Sequence, residues 1–250
     1  MSQVITVATW KGGVGKSITA LFYANILADQ GKRVLLLDMD CQNSLTSYFI
    51  NDPNEITGKT ILEVLTDQCP IASAIVPIRP NLHFVPVDGK LSRISSQLTV
   101  NRDFKLHMLL DDVRGDYDYI VIDTPPVLGL ATNLALVISN YITIPTRIDQ
   151  WSISSIGITV NYINELILPL HRIIKNELRR MIVLPTHTMK NNPFQTDVIK
   201  QLSAAYGPML FDGITQRIDI QKLGFIGKSF DLRRIDSYGE YVSVLAQLLK

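Results

Sequence analysis

The sequence of 250 residues has little of several features that mark particular classes of protein. It has two cysteines, Cys41 and Cys69, so neither a secreted disulfide scaffold nor a cysteine-rich metal site is predicted. Its formal net charge of +1 excludes strong attraction of the whole molecule to nucleic acid, and leaves any such contact to a local patch. No basic region precedes the apolar residues 4–8, and no apolar run reaches the roughly 18 residues that span a bilayer. We therefore expect a cytosolic protein.

Short apolar runs alternate with helix-like stretches along the chain. Hydrophobic residues make up 46% of the sequence and charged residues 19%, which is enough for the core of a single domain over residues 1–250. The four histidines are scattered, and we expect them to be structural or exposed. Predicted strands lie at 3–9, 33–38, 82–87, 118–123, 141–145 and 180–185, and predicted helices at 17–30, 60–66, 104–113, 130–139, 152–172, 194–206 and 237–249.

This order of elements predicts an α/β fold. Continuous apolar strands between helices indicate a mostly parallel central sheet with helices on both faces. Ligands of such sheets bind at the carboxyl ends of the strands. We therefore expect the ligand-binding and catalytic residues to lie just after Ala8, Leu37, Ile122 and Leu184.

A glycine- and lysine-rich segment, Lys-Gly-Gly-Val-Gly-Lys-Ser at residues 11–17, separates the first predicted strand from the first predicted helix. Backbone N–H groups of such a loop, and the helix N-terminus after it, point at a bound phosphate. Lys16 then reaches the β- and γ-phosphates, and Ser17 ligates Mg²⁺. The ordinary Walker A pattern has a glycine where this chain has Trp10, so the segment fits a variant with an additional lysine, Lys11. The predicted nucleotide-binding residues are Lys11, Gly12, Gly13, Val14, Gly15, Lys16, Ser17 and Ile18.

Three aspartates follow apolar strands. Asp38 and Asp40 end the second strand as Leu-Leu-Leu-Asp-Met-Asp, and Asp123 ends another within Ile-Asp-Thr-Pro-Pro. A carboxylate at a strand end beside a phosphate loop is suited to holding Mg²⁺, directly or through water. A second carboxylate can orient an attacking water molecule. Each aspartate alone could be a helix cap or a loop residue, but three at strand ends favour a catalytic site.

These three segments together resemble the ParA/MinD group of deviant Walker A ATPases, which are P-loop NTPases. The family pattern is Lys-Gly-Gly-x-Gly-Lys-[Ser/Thr], then Asp-x-Asp, then an apolar strand with Asp-x-Pro-Pro. The resemblance implies ATP and Mg²⁺ as cofactors and a homodimer formed around ATP. It also implies that Lys11 crosses the dimer to the partner's nucleotide, and that Asp38 and Asp123 belong to the magnesium shell. Asp40 would position the hydrolytic water, a role that Asp38 could share, and Thr186 would contact adenine.

Later segments resemble the ParA branch of this group. Pro-Thr-Arg-Ile-Asp at 145–149 is similar to the family's Pro-x-Gln-x-Glu segment, with Arg147 replacing Gln and Asp149 replacing Glu. Residues 214–230 resemble the stretch after the last core strand, and residues 236–241 resemble the start of the C-terminal helix of ParA proteins.

A ParA-like protein is expected to hydrolyse ATP to ADP and phosphate, to bind non-specific DNA, and to position or segregate a cargo over the nucleoid in the cytoplasm. A ParB-like or McdB-like adaptor protein would stimulate hydrolysis. The cargo stays open between a plasmid, a chromosome region and a protein organelle such as a carboxysome, which McdA-like proteins position. By family position and charge, the candidate DNA contacts are Lys190, Arg217, Lys222 and Lys228.

Two other readings use the same motifs. A MinD-like spatial regulator would bind the membrane through an amphipathic segment beyond its last helix. Here Val242, Leu245 and Leu249 are expected to pack on the domain instead, so membrane binding is not favoured. A metabolic ligase would usually lack Lys11, and an iron–sulfur reductase would need cluster cysteines that this chain does not supply.

Overall fold

The computed structural model, which describes residues 2–98, 102–220, 223 and 231–250, contains a seven-stranded sheet. Its strands are β1 (Gln3–Val7), β2 (Val34–Asp38), β3 (Val76–Arg79), β4 (Leu82–Val85), β5 (Tyr119–Asp123), β6 (Tyr141–Arg147) and β7 (Arg180–Thr186). Their order across the sheet is β3-β4-β2-β5-β1-β6-β7. Every neighbouring pair is parallel except β3 and β4. The predicted mostly parallel sheet is confirmed.

Helices cover the sheet and connect its strands. They are α1 (Lys16–Asp29), α2 (Ser44–Phe49), α3 (Ile61–Leu65), α4 (Ile71–Ala74), α5 (Ile94–Gln97), α6 (Lys105–Leu110), α7 (Leu130–Val137), α8 (Ser152–Tyr162), α9 (Leu168–Ile173), α10 (Pro193–Tyr206) and α11 (Ser237–Leu248). A π-helical segment, Ile163–Ile167, joins α8 to α9. Short 3₁₀ helices lie at Pro53–Ile56, Gly89–Arg93, Arg114–Asp116, Gly207–Met209 and Leu232–Arg234.

Successive residues of the central strands pack on opposite faces of the sheet. In β2, Val34 and Leu36 join the cluster that includes α1 and α11, whereas Leu35 and Leu37 join the cluster formed with α3, α6 and α7. All four residues are fully buried, because both faces of the parallel sheet are covered. Burying each such side chain contributes about 1.5–3 kcal/mol, so the two apolar layers hold the central strands rigidly.

The C-terminal helix packs on the domain. Leu245 is buried, and Val242 and Leu249 are partly buried against the same cluster. Tyr241 of this helix stacks on Phe22 of α1 with ring centroids 4.4 Å apart. The predicted packing of this helix is confirmed.

One continuous helix, Ser152–Ile173, meets the length and composition criteria of a membrane span, with 22 residues and a mean hydropathy of 1.2. The sequence alone predicted no such segment, because polar residues interrupt its apolar runs. Ile156, Ile163 and Ile167 are fully buried within the apolar clusters that cover β6 and β7. One face of this helix therefore packs on the sheet, and 28% of its apolar window is buried.

The strand register places the predicted site residues at one edge of the sheet. Asp38 pairs with Asp123 across β2 and β5, and Asp123 pairs with Val7 across β5 and β1. The segment after Val7 is the phosphate loop, so parallel pairing alone places both carboxylates beside that loop. Adjacent strands thus carry the two carboxylates, and the phosphate loop follows the strand beside them.

Candidate nucleotide-binding site

The phosphate loop turns through two left-handed glycines. Gly13 has φ +68° and Gly15 has φ +86°, values that side chains with a Cβ rarely adopt. Helix α1 begins immediately afterwards at Lys16, and both the N–H (2.9 Å) and the hydroxyl (2.8 Å) of Thr19 donate to the Gly15 carbonyl. The first N–H groups of α1 therefore point into the loop, as phosphate binding requires.

Lys16 lies inside the loop. It is only 6% exposed, and its Nζ donates to the carbonyl of Lys11 at 3.2 Å. Burial lowers the pKa of Lys16, while the charges of Asp123 and Asp40 partly oppose that shift. A buried ammonium beside two carboxylates is placed to meet the additional negative charge of a phosphate.

Lys11 points elsewhere and forms an ion pair with Asp149, which follows β6. The Oδ1 atom of Asp149 also accepts from the N–H of Trp151 at 3.0 Å and from the hydroxyl of Ser152 at 3.2 Å. Burial alone would raise the pKa of Asp149, but the hydrogen bonds from Lys11 and Trp151 outweigh it and lower that pKa. The two loop lysines therefore occupy different surroundings.

Asp38 is fully buried and its oxygens are already bonded within the protein. The N–H and the hydroxyl of Thr46 both donate to Oδ2 at 2.9 Å, and the N–H of Asp40 donates to Oδ1 at 3.1 Å. The Thr46 hydroxyl in turn accepts from the N–H of Val87 at 3.0 Å. Burial raises the pKa of Asp38 to about 7, although these hydrogen bonds lower it in part.

Asp123 is also fully buried, yet neither carboxylate oxygen has a hydrogen-bond partner of normal geometry among the described residues. Burial raises its pKa well above the usual value, Asp38 adds to that rise, and the nearby Ser17 hydroxyl and Lys16 oppose it. A buried carboxylate with free lone pairs beside a hydroxyl fits a hard cation. In the described part of the chain, no group of three or more His, Cys, Asp or Glu side chains could hold a metal. Mg²⁺ here would therefore also need phosphate and water oxygens.

Two adjoining cavities open at this edge of the sheet and share Gly13, Gly15 and Ile18. The first, of about 510 Å³, lies over the phosphate loop and is also lined by Gly12, Lys16, Ser17, Asp40, Gln42, Ser44 and Pro126. The second, of about 230 Å³, lies on the β7 side and is also lined by Thr186, His187, Ile214, Thr215, Gln216, Arg217, Ile220 and Tyr241. A charged cleft beside a mostly apolar pocket has the size and character of a site for a nucleoside triphosphate.

The structure brings most of the predicted site residues together around these cavities. Thr186 lies on the wall of the second cavity, and its hydroxyl is within hydrogen-bonding distance of the carbonyls of Val14 (2.9 Å) and Thr146 (3.1 Å). Sequence reasoning missed Thr46 and His187. Thr46 lies in a helix that was not predicted, and His187 was expected to be structural or exposed.

The candidate DNA contacts divide into three cases. Lys190 is exposed on the loop between β7 and α10. Arg217 is half-buried on the wall of the second cavity, with Asp236 at 3.5 Å and Glu240 at 3.8 Å. Lys222 and Lys228 lie outside the described residues.

Comparison with known proteins agrees with the motifs. A family model described as an AAA domain matches residues 2–178. The chromosome partitioning protein ParA of Myxococcus xanthus is 30% identical over 259 residues, which cover 100% of this chain and 89% of that protein. The chain belongs to the ParA family of ATPases. It is therefore a ParA-like member of the ParA/MinD group, as the sequence predicted.

Solved structures of ParA-like proteins share its fold. A protein of Borrelia burgdorferi assigned to plasmid partition, crystallised with AMPPNP, has a TM-score of 0.86 and 30% identity over 100% of this chain and 99% of its own. The ATP complex of a Cyanothece McdA variant has a TM-score of 0.85 at 20% identity, over 99% of this chain and 96% of its own, which shows the fold alone. The ParA family and its P-loop fold are thus supported by sequence and by structure.

Proposed function

We propose that this chain is one domain that binds Mg-ATP, dimerises around it, and uses slow ATP hydrolysis to position a cargo over DNA. The observation that carries the proposal is the difference between the two loop lysines. Lys16 is buried beside the carboxylates of its own site, whereas Lys11 forms a partly exposed ion pair with Asp149. Lys11 is therefore available to a nucleotide held by another subunit.

Each site residue then has a distinct task. The loop N–H groups and Lys16 would bind the β- and γ-phosphates, and the Ser17 hydroxyl and the buried Asp123 carboxylate would hold Mg²⁺, which would neutralise phosphate charge. Asp40, whose Oδ1 accepts from the N–H of Gln42 at 3.0 Å, lines the phosphate cavity and orients the attacking water. Asp38 is held by Thr46 and acts through its charge and through water.

The surface around Lys11 supports a face-to-face dimer. Trp10 is 48% exposed and Trp151 is 65% exposed, so large apolar side chains adjoin both members of the ion pair. Val127 and Ile158 are also exposed. The backbone N–H of Trp10 donates to Oγ1 of Thr159 at 3.3 Å, which connects Trp10 to the helix that contains Ile158. Exposed aromatic side chains, tryptophan among them, are enriched in protein interfaces.

The proposed DNA contact is non-specific and depends on the dimer. A chain with a net charge of +1 binds a polyanion weakly, but two copies present their local lysines together. Lys190 is the described candidate with an exposed side chain, while the charge of Arg217 is offset by Asp236 and Glu240. The 30% identical relatives act in chromosome or plasmid partition by name, so we propose replicon DNA as the cargo and a ParB-like adaptor as the partner.

A MinD-like membrane function is the less supported reading. The C-terminal helix packs its apolar residues into the domain core, which leaves that face unavailable for lipid. We propose that the protein works in the cytoplasm on the nucleoid.

The test measures molar mass by light scattering, and binding to a duplex of arbitrary sequence at two salt concentrations, with ATP, with ADP and without nucleotide. We expect dimers and salt-sensitive DNA binding with ATP alone. Lys16→Ala should lose ATP binding, Lys11→Ala should bind ATP as a monomer, and Lys200→Ala on the exposed face of α10 should behave as wild type. An ATP-dependent dimer of the Lys11 variant, or DNA binding independent of nucleotide, would refute the proposal.

A further inference from the structure

The wall of the smaller cavity contains His187, and the neighbours of this ring set the hydrogen-bonding character of its two nitrogens. Much of this cavity is apolar, with Ile18, Ile214, Ile220 and Tyr241 among its lining residues. A flat base in such a pocket gains affinity from contact with these side chains, but they cannot distinguish one purine from another. Discrimination must come from polar atoms that remain available.

The other polar side chains on this wall are largely engaged within the protein. The N–H and the hydroxyl of Thr215 donate to the two carboxylate oxygens of Glu240 at 2.8 and 2.7 Å. Arg217 pairs with Glu240 and Asp236. Gln216 is exposed, and its amide can turn either a donor or an acceptor toward a ligand. None of these groups presents a fixed acceptor to a base.

The contacts of the Thr186 hydroxyl determine which ring nitrogen of His187 carries a proton. The Thr186 Oγ1 atom lies 2.9 Å from the Val14 carbonyl and 3.1 Å from the Thr146 carbonyl, so its one proton is directed to a carbonyl. The His187 Nδ1 atom lies 3.2 Å from the same Oγ1, and their hydrogen bond therefore needs the proton on Nδ1. Burial, and then the charge of Arg147, lowers the pKa of His187, so the ring is neutral and Nε2 is an acceptor.

The ring is held where the cavity meets the phosphate loop. A methyl group built on Gly15 would lie 4.0 Å from Cε1 of His187, the carbon bonded to Nε2. The backbone of His187 is left-handed, with φ 55°, and its carbonyl accepts from the Nε2 atom of buried Gln195 at 3.3 Å. The Oε1 atom of Gln195 accepts from the N–H of Met189 at 2.7 Å. Both ends of the Gln195 amide thus hold the turn that carries His187.

We propose that His187 selects adenine over guanine by accepting a hydrogen bond at Nε2 from the 6-amino group of the base. This inference rests on the proposed nucleotide function and adds the residue that reads the base. Guanine carries an oxygen at position 6, which would face a second acceptor and leave both without a donor. A buried acceptor left unpaired costs enough to discriminate by about 5- to 150-fold.

The experiment compares equilibrium binding of ATP, ITP and GTP by calorimetry at about pH 8, where the imidazole is neutral. Inosine has the 6-oxygen and the N1–H group of guanine without its 2-amino group, so ITP separates the reading of this edge of the base from any effect of the 2-amino group. We expect ATP to bind at least about fivefold more tightly than either ITP or GTP. Equal affinities for ATP and ITP would overturn the assignment of His187.

Two variants complete the test. His187→Asn tolerates a left-handed backbone and has an amide that can serve either base, so the ratio of ATP to ITP affinity should fall to within about threefold. His83→Asn, remote from the cavity, is the matched control and should keep the wild-type ratio. An unchanged ratio in His187→Asn also overturns the inference. If wild type binds none of the three nucleotides, the proposed function fails as well, whereas ATP binding that Lys16→Ala abolishes leaves it intact.

Discussion

The ion pair between Lys11 and Asp149 predicts that removing the aspartate strengthens the ATP-dependent dimer. If Lys11 must leave Asp149 to reach the partner's nucleotide, each subunit loses this pair on dimerisation. The two side chains are 27% and 34% exposed, so the pair contributes about 0.2–1 kcal/mol after solvent screening. Two pairs break per dimer, and Asp149→Asn should lower the dimer dissociation constant by about 2- to 30-fold.

Sedimentation velocity over a range of protein concentrations with saturating ATP measures that constant. Asp197→Asn is the matched control, because it makes the same charge change in an ion pair with Lys200. The side chains of Asp197 and Lys200 are 70% and 74% exposed, so this variant should leave the dissociation constant unchanged. A dimer of Asp149→Asn that is weaker than wild type would refute the reasoning, since Asp149 would then stabilise the dimer rather than the free subunit. An unchanged constant would show that the pair does not oppose dimerisation.

Three further predictions address the carboxylates and DNA. Thr46→Val removes a donor to Asp38 and an acceptor for a backbone N–H, so the free energy of unfolding should fall by about 2 kcal/mol in urea titrations, whereas Thr46→Ser should retain most of it. The folded pKa of Asp38, about 7, lies above its unfolded value of 3.8, so the folded state holds the proton more tightly. The titration of Asp38 should therefore lower the stability of the metal-free protein by about 4 kcal/mol at most as pH rises from about 4 to about 7, and Asp38→Asn should reduce this loss; a variant with the pH dependence of wild type would contradict it. Lys190→Ala should reduce the slope of log affinity for DNA against log salt by about 1, and Lys200→Ala should not change it.

The main elements and the phosphate site could be predicted because their signals are local. Parallel strands appear as short apolar runs, and the phosphate loop lies between a strand and a helix in the sequence itself. The two strand-end aspartates Asp38 and Asp123 needed only the rule that carboxyl ends of parallel strands meet at one edge. The rule gives only the shared edge, and the structure shows that β2 and β5 are neighbours with Asp38 paired to Asp123.

Other elements gave no such signal. Strand β3 has four residues, is at the edge of the sheet and is only partly buried, and Pro77 interrupts its short apolar run in a way that argues against a strand. Helix α2 has six residues and starts after Asn43 in a left-handed conformation without a side-chain cap. Because this helix was not predicted, the contact between Thr46 and Asp38 was not predicted either.

Long-range side-chain contacts account for the rest. Lys11 and Asp149 are 138 residues apart, and only the folded chain shows that they pair. The role inferred for His187 depends on a left-handed backbone and on the hydroxyl of Thr186, neither of which a lone histidine reveals in a sequence.

The placement of the two tryptophans has a practical consequence. Trp10 and Trp151 are the only tryptophans in the chain, and one adjoins each member of the Lys11–Asp149 pair. Both side chains are exposed to water in the single subunit. Their indole emission would therefore shift to shorter wavelength if a second subunit covered them. The wild-type protein thus carries an intrinsic optical reporter at the proposed contact face, and stopped-flow mixing with ATP could follow association without any attached dye.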